Sequence, residues 1–161
     1  MHSKKQQSSI CGEADAEFGD VRKRDGWIRP GLVSITFRNL SPQEVTALVA
    51  EARLCAIEWG GDVHVPHGDL ARAREVGRMT RDAGLAVAAY GSYYEVGRCK
   101  ADGLGFEDVL ETALALGAPL IRVWAGRCSP VQTDAGSRDA IVADARRIVA
   151  LAATAGVPVA F

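Results

Sequence analysis

Residues 31–60 read GLVSITFRNLSPQEVTALVAEARLCAIEWG, and the order of patterns inside that stretch decides the fold. Leu32–Phe37 is a short apolar run rich in β-branched side chains, the signature of a strand. Ser41-Pro-Gln-Glu44 announces a helix. Ser stands as N-cap, Pro occupies the first helical position where no N–H is needed, and Glu closes a capping box. Val45, Leu48, Val49 and Ala52 then recur at the spacing of one helix face. Cys55–Trp59 is a second strand.

The unit repeats. Asp69 is placed to cap a helix with Leu70, Ala73, Val76 and Thr80 inward, and Gly84 follows its last turn, where a left-handed residue closes a helix. Leu85–Tyr90 reads as a third strand. A long loop leads to a helix near Phe106, striped by Val109, Leu110, Ala113 and Leu114 and ended by Gly117. Leu120–Trp124 is a fourth strand. Ser137 is placed to cap a last helix with Ile141, Ala145, Ile148 and Ala152 inward, closed by Gly156, and Val157–Phe161 is a fifth strand. Strict alternation with short αβ turns implies a parallel sheet with right-handed crossovers. The long loops follow strands, so function is expected at the strand C-terminal ends.

Two architectures share this order, a doubly wound open sheet and a (β/α)8 barrel. Side chains alternate across a strand. One face collects Ser34, Thr36, Arg38, Ala56, Glu58, Ala86, Ala88, Tyr90, Arg122 and Trp124, while the other is aliphatic. A doubly wound sheet buries both faces under helices. A barrel turns one face to a lumen, which tolerates Glu, Tyr and Arg near its active end. The expected fold is therefore α/β, a partial (β/α)8 TIM barrel of about five parallel strands and four helices, over residues 31–161. Residues 1–30 are polar and aperiodic and read as a poorly ordered leader, with Trp27 and Ile28 as a short cover over a barrel end. A full barrel takes about 250 residues, so the expectation is the N-terminal half of one.

Composition excludes several functions. The chain has 161 residues, with 19 basic against 20 acidic and a formal net charge of −1. That balance gives no footprint for nucleic acid or an anionic membrane. No apolar run approaches the roughly 20 residues that span a bilayer. The first residues lack the apolar core of a secretory signal, so the expected location is cytoplasmic. Cys11, Cys55, Cys99 and Cys128 form no CxxC pair, which removes zinc-ribbon and thioredoxin readings. Cys55 reads as a small core residue. A Cys99–Cys128 disulfide is disfavoured by a reducing cytosol.

The chemistry-bearing stretch is Ile57-Glu-Trp-Gly-Gly-Asp-Val-His-Val-Pro-His-Gly-Asp69. His64 is a candidate to stand at the barrel mouth and hydrogen-bond a polar substrate or relay a proton. The alternative is a polar loop whose Asp69 is simply an N-cap. A second functional reading takes His64, His67 and a carboxylate as metal ligands, though Pro66 rules out a helical pair. Glu58 and Arg122 share the lumen face, and neither charge is tolerable there alone, so they are expected to pair, as a structural ion pair or, in the alternative, with one of them also contacting substrate. Tyr90, Tyr93, Tyr94 and Trp124 gather at the ends of strands three and four. Aromatic faces of this kind stack on sugar rings, and phenolic hydroxyls orient them. The substrate-binding candidates are Glu58, His64, Tyr90, Tyr93, Arg122 and Trp124.

Together with Val123-Trp-Ala-Gly126 and Ala155-Gly-Val-Pro-Val-Ala-Phe161, that stretch resembles the xylose isomerase-like TIM barrels, the sugar phosphate isomerases and epimerases related in fold to endonuclease IV. The resemblance implies an isomerase or epimerase of carbohydrate metabolism, acting on a sugar or polyol with a divalent metal (Mn2+, Mg2+ or Co2+) over the barrel mouth. His64 matches the loop histidine after the second strand that touches substrate in such enzymes. Trp124 matches an aromatic at the end of the fourth strand. The family's metal ligands come from strands five to eight, and none maps onto this chain. The chain is thus expected to be a truncated half, inactive as an isomerase alone. One alternative is a non-catalytic half-barrel that assembles through its open sheet edges with itself or with a separate second half. The other is endonuclease IV-like DNA repair, which the charge balance disfavours.

Overall fold

Five parallel strands pair in the order in which the chain makes them: β1 (Gly31–Val33), β2 (Ala56–Gly60), β3 (Ala86–Glu95), β4 (Ile121–Trp124) and β5 (Val159–Ala160). Each consecutive pair is joined through a helix: α1 (Pro42–Glu51), α2 (Leu70–Asp82), α3 (Phe106–Leu116) and α4 (Ala135–Thr154). This computed structural model describes residues 29–126 and 128–161. The leader reading, with Trp27 and Ile28, falls outside the described residues. The expected five-strand, four-helix α/β architecture is the observed one.

Local chemistry explains most element ends. At α1 the Ser41 hydroxyl accepts the Glu44 N–H at 3.3 Å, and the Glu44 carboxylate accepts the Ser41 N–H at 2.7 Å, a complete capping box. Asp69 caps α2 by accepting the Arg72 N–H at 2.9 Å. Gly84, Gly117 and Gly156 close α2, α3 and α4 with positive φ. The start of α4 departs from expectation. Its cap is Asp134, which accepts both the N–H and the hydroxyl of Ser137 at 2.8 Å, so Ser137 lies one turn inside. A carboxylate with two acceptor oxygens satisfies more of the free first-turn donors than a serine one turn later.

Two strands are shorter than their apolar runs. The first ends at Val33, and Ser34–Phe37 turns into a 3-10 helix. The buried Ser34 hydroxyl accepts the Gly60 N–H at 2.9 Å. That donor is then no longer free for a further strand residue, and the ladder stops at Val33↔Glu58. The fifth strand begins only at Val159 because the Val157 N–H closes α4 on the Ala152 carbonyl and Pro158 has no N–H. The third strand is longer than expected and irregular, and its distortion shapes the site below.

The helices cover one sheet face. Ile57, Trp59, Tyr90, Ile121 and Val123 meet Val45, Val76, Val109, Ala113 and Ile148 in one core. Trp59 is fully buried and donates its indole N–H to the Thr80 hydroxyl at 3.0 Å. Cys55 is buried as expected. The buried face of α1 runs through Pro42, Val45, Thr46 and Val49, and Leu48 stays exposed. Helices α2 and α3 approach unusually closely at Gly77. A Cβ there would lie 2.2 Å from the Leu116 carbonyl oxygen.

Candidate functional site

Two β-irregularities decide which side chains reach the uncovered face. Between β2 and β3 the register skips Ala88: Ile57 pairs with Val87, but Glu58 pairs with Ala89 and Trp59 with Tyr90. One extra residue reverses the facing of everything beyond it. Tyr90 therefore sits on the helix side with Trp59 and Ile121, fully buried, and not on the lumen face. Its hydroxyl donates to the Val65 carbonyl at 2.9 Å and lies 2.8 Å from His67 Nδ1. Burial raises the Tyr90 pKa, so the group stays a neutral phenol. Burial also lowers the His67 pKa, which favours a neutral imidazole there. Tyr90 is a core residue that pins the loop after β2, and it is removed from the substrate-contact set.

His64 is likewise inside. Its Nδ1 lies 3.0 Å from the Ser34 hydroxyl and its Nε2 lies 3.1 Å from the Leu40 carbonyl. A carbonyl only accepts, so Nε2 carries the proton. Ser34 accepts from Gly60 N–H and gives its own hydrogen to Nδ1. Both ring nitrogens are engaged in a buried chain that ties the 3-10 turn to β2. His64 thus holds the loop and has no free atom for a ligand at the mouth.

The second irregularity is at the end of β3. Pairing with β4 runs Tyr90↔Ile121 and Gly91↔Arg122, then shifts to Glu95↔Trp124. The Ser92 hydroxyl fills the gap, donating to the Arg122 carbonyl at 2.7 Å and accepting the Tyr94 N–H at 3.2 Å. Tyr93 takes the left-handed conformation, φ +57°, which costs a non-glycine residue about 1 kcal/mol. Tyr94 goes inward, edge-on to Phe106 at 5.3 Å, with its hydroxyl on Asp144 at 3.0 Å. Burial and that carboxylate push its pKa up to about 12. Tyr93 is thrown the other way, beside Trp124 at 6.1 Å between ring centres.

On the uncovered face Glu58 and Arg122 pair as expected. Glu58 Oε1 accepts from Arg122 Nε at 2.8 Å and from its terminal nitrogen at 2.7 Å. The pair passes over Gly91, where a Cβ would lie 2.7 Å from Glu58 Oε1 and 3.0 Å from the guanidinium. The Arg122 guanidinium carbon stands 5.9 Å from the Tyr93 ring and 5.9 Å from the Trp124 ring, within cation–π range of both. A second ion pair, Arg38 with Asp62, lies alongside. The Arg38 and Arg122 guanidiniums both lie near Tyr93. Glu58, Tyr93, Arg122 and Trp124 are thus brought together, and His64 and Tyr90 are not. Arg38 and Asp62 join them. Their signal was legible: Arg38 fell on the polar face of the first strand's alternation, and Asp62 lay in the glycine-rich stretch after the second.

A divalent metal does not fit these side chains. Glu58 and Asp62 are committed to guanidiniums, His64 to Ser34 and Leu40, and His67 to Tyr90. Among the described residues no group of three or more His, Cys, Asp or Glu is arranged to hold one. A separate open cavity of about 740 Å3 lies between the end of β3 and the start of α4, lined by Gly97, Gly126, Ile141 and neighbours. It contains none of the candidate side chains.

The fold and the mouth-facing polar cluster define one half of a (β/α)8 barrel. Its solved structural neighbours are xylose isomerase-like TIM barrels. One is a probable 3-DHS dehydratase from Bacillus anthracis, with TM-score 0.65, 20% identity, and coverage of 82% of this chain and 51% of that one. Another is a D-allulose 3-epimerase from Methylomonas sp., at 0.60, 18%, 82% and 50%. A third is a fusion of a xylose isomerase-like barrel with a 4-hydroxyphenylpyruvate dioxygenase, at 0.59, 21%, 82% and 21%. The chain spans about half the length of the first two and about a fifth of the fusion. No protein-family model and no curated protein matches the sequence. No helix among the described residues is long and apolar enough to cross a membrane.

Proposed function

We propose that this chain forms the substrate-binding half of a xylose isomerase-like barrel, and that the barrel isomerises or epimerises a sugar or related polyol. The divalent metal of such a reaction would require ligands other than the residues described here, and no step is assigned to it. The observation that supports the reading best is the Tyr93–Trp124 pair, set over the Glu58–Arg122 ion pair at the strand C-terminal ends. Trp124 is 46% exposed although it is the largest apolar side chain on that face. An aromatic face beside fixed charged donors and acceptors suits a ring or chain carrying C–H bonds on one side and hydroxyls on the other. The half-barrel would bind and orient the polyol. Proton movement between its carbons is assigned to groups beyond this site.

The test is a polyol titration followed by calorimetry. Trp124→Ala should weaken binding about fivefold, the loss of a stacked ring worth roughly 1 kcal/mol, with an unchanged melting temperature because the side chain is half exposed. Binding that is unaffected by Trp124→Ala would remove the reading.

Among the described residues no strand pairs with the outer edges of β1 and β5, and Val33 is exposed beside the first, which favours a second reading in which copies of the chain associate edge to edge. Sedimentation should then show dimers at micromolar concentration, and a single monomer peak would remove it.

A further inference from the structure

We propose that Asp144, on α4, is a positioning residue for the aromatic face: through the Tyr94 hydroxyl and the Gly97 N–H it holds the end of β3 in the shape that sets the Tyr93 ring beside Trp124. The inference rests on the polyol reading above for its ligand, and adds to the binding machinery a residue that the ligand would not touch.

Tyr93 needs to be held. Its φ of +57° is unfavourable for a side chain with a Cβ, and such a conformation persists only where its neighbours are fixed. On the preceding side the Ser92 hydroxyl is tied to the Arg122 carbonyl at 2.7 Å. On the following side Tyr94 is fixed by its ring against Phe106 and by its hydroxyl, which donates to Asp144 Oδ2 at 3.0 Å. The same oxygen accepts the Gly97 N–H at 2.8 Å. One carboxylate oxygen thus grips residues 94 and 97. Between them lie Glu95, which pairs with Trp124 in the sheet, and Val96, whose N–H donates to the Trp124 carbonyl at 2.9 Å. Both rings of the aromatic face are attached to the segment that Asp144 grips.

Asp144 is itself well fixed. Its side chain is 10% exposed, and its other oxygen accepts from Arg147 Nε at 3.0 Å. Arg147 also donates to the Tyr94 hydroxyl at 3.0 Å and reaches Glu107 on α3 at 3.1 Å. Hydrogen bonds to a charged group outweigh the strain of one left-handed residue. Burial works against ionisation of Asp144, but the Gly97 N–H, Arg147 and Tyr94 prevail and hold its pKa below the usual carboxylate range, so the grip is present at neutral pH. Without it Tyr94 is free to turn, and Tyr93 relaxes to negative φ and carries its ring away from Trp124.

The experiment uses the complete 161-residue chain labelled with 5-fluorotryptophan, whose three tryptophans give three fluorine resonances. Trp27→Phe and Trp124→Phe assign two of them and leave Trp59 as the third. Tyr93→Leu gives the Trp124 resonance without its neighbour. Asp144→Asn and Tyr94→Phe should each move the Trp124 resonance toward that position and leave Trp59 in place. Glu107→Gln removes only an exposed outer contact and should move neither. Polyol affinity by calorimetry should fall about fivefold in Asp144→Asn and in Tyr94→Phe, the loss of one stacked ring. The fall caused by Asp144→Asn should be smaller in a Tyr93→Leu background, as for residues that act through one another. A Trp124 resonance unmoved by Asp144→Asn and Tyr94→Phe would overturn the positioning role, whether or not polyol binds. A moved resonance in a chain that binds no polyol would overturn the polyol reading and uphold Asp144 as the residue that sets the rings. Undiminished polyol binding in both variants would overturn the role in binding, and equal falls with and without the Tyr93 ring would overturn the route through Tyr93. Should Asp144→Asn displace Trp59 as well, Tyr94→Phe decides, because it deletes one oxygen and keeps its ring in the core.

Discussion

Gly77→Ala should destabilise the chain by about 2–3 kcal/mol, the cost of forcing atoms into a closed contact. Helix propensity alone predicts the opposite sign, since alanine is better than glycine in a helix interior by about 1 kcal/mol. Gly77 lies within α2 and is buried against the end of α3. An added Cβ would sit 2.2 Å from the Leu116 carbonyl oxygen and 3.0 Å from its carbon. Both are backbone atoms, so no rotamer change relieves the contact. That carbonyl also accepts a bond from Arg81 at 3.2 Å. The helices must part, and the Val76–Leu116 region of the core opens with them. Gly84→Ala is the control. Its φ is +74° and nothing lies within 4 Å of the added carbon, so only the left-handed strain of about 1 kcal/mol should appear. Urea unfolding of the two variants gives the comparison. A Gly77→Ala chain as stable as the parent would mean that α2 and α3 do not meet as described.

Glu58→Ala should cost about 2 kcal/mol, and the double variant with Arg122→Ala should recover roughly half of it. Breaking a fully buried ion pair costs about 3–5 kcal/mol, because a charge is left without a partner. Here the two side chains are 18% and 31% exposed, so water screens part of that cost. Removing both charges removes the unpaired guanidinium as well. The double-mutant cycle isolates the coupling and should return more than about 1 kcal/mol, since Arg122→Ala alone strands the Glu58 carboxylate. Both single variants should also lose polyol affinity, since the aromatic pair is seated against Arg122. A coupling near zero would show that the two groups do not interact, and the site would lose its floor.

Some features were legible because a few adjacent residues decide them. The Ser41–Glu44 capping box, the Asp69 cap and the closing glycines at 84, 117 and 156 depend on atoms within one turn. The Glu58–Arg122 pair was legible for a different reason. A charge on an inward strand face has few neighbours, and an opposite charge two strands away is the cheapest. His64 and Tyr90 were misplaced because their facing depends on other strands. Ser34, thirty positions earlier, captures both the Gly60 N–H and a ring nitrogen of His64. One skipped residue, Ala88, turns Tyr90 to the helix side. Single-strand alternation contains no sign of either event.

The alternation of apolar runs with capped helices was enough to order the elements and to establish a parallel α/β sheet with one polar face, because hydrophobic period and caps are local properties of the chain. Which side chains meet on that face was settled only by strand pairing. The Ala88 skip moved Tyr90 into the core, and the Ser92 bridge turned Tyr93 out toward Arg38 and Arg122. Register is a relation between two strands, and a slip of one residue reverses every side chain beyond it.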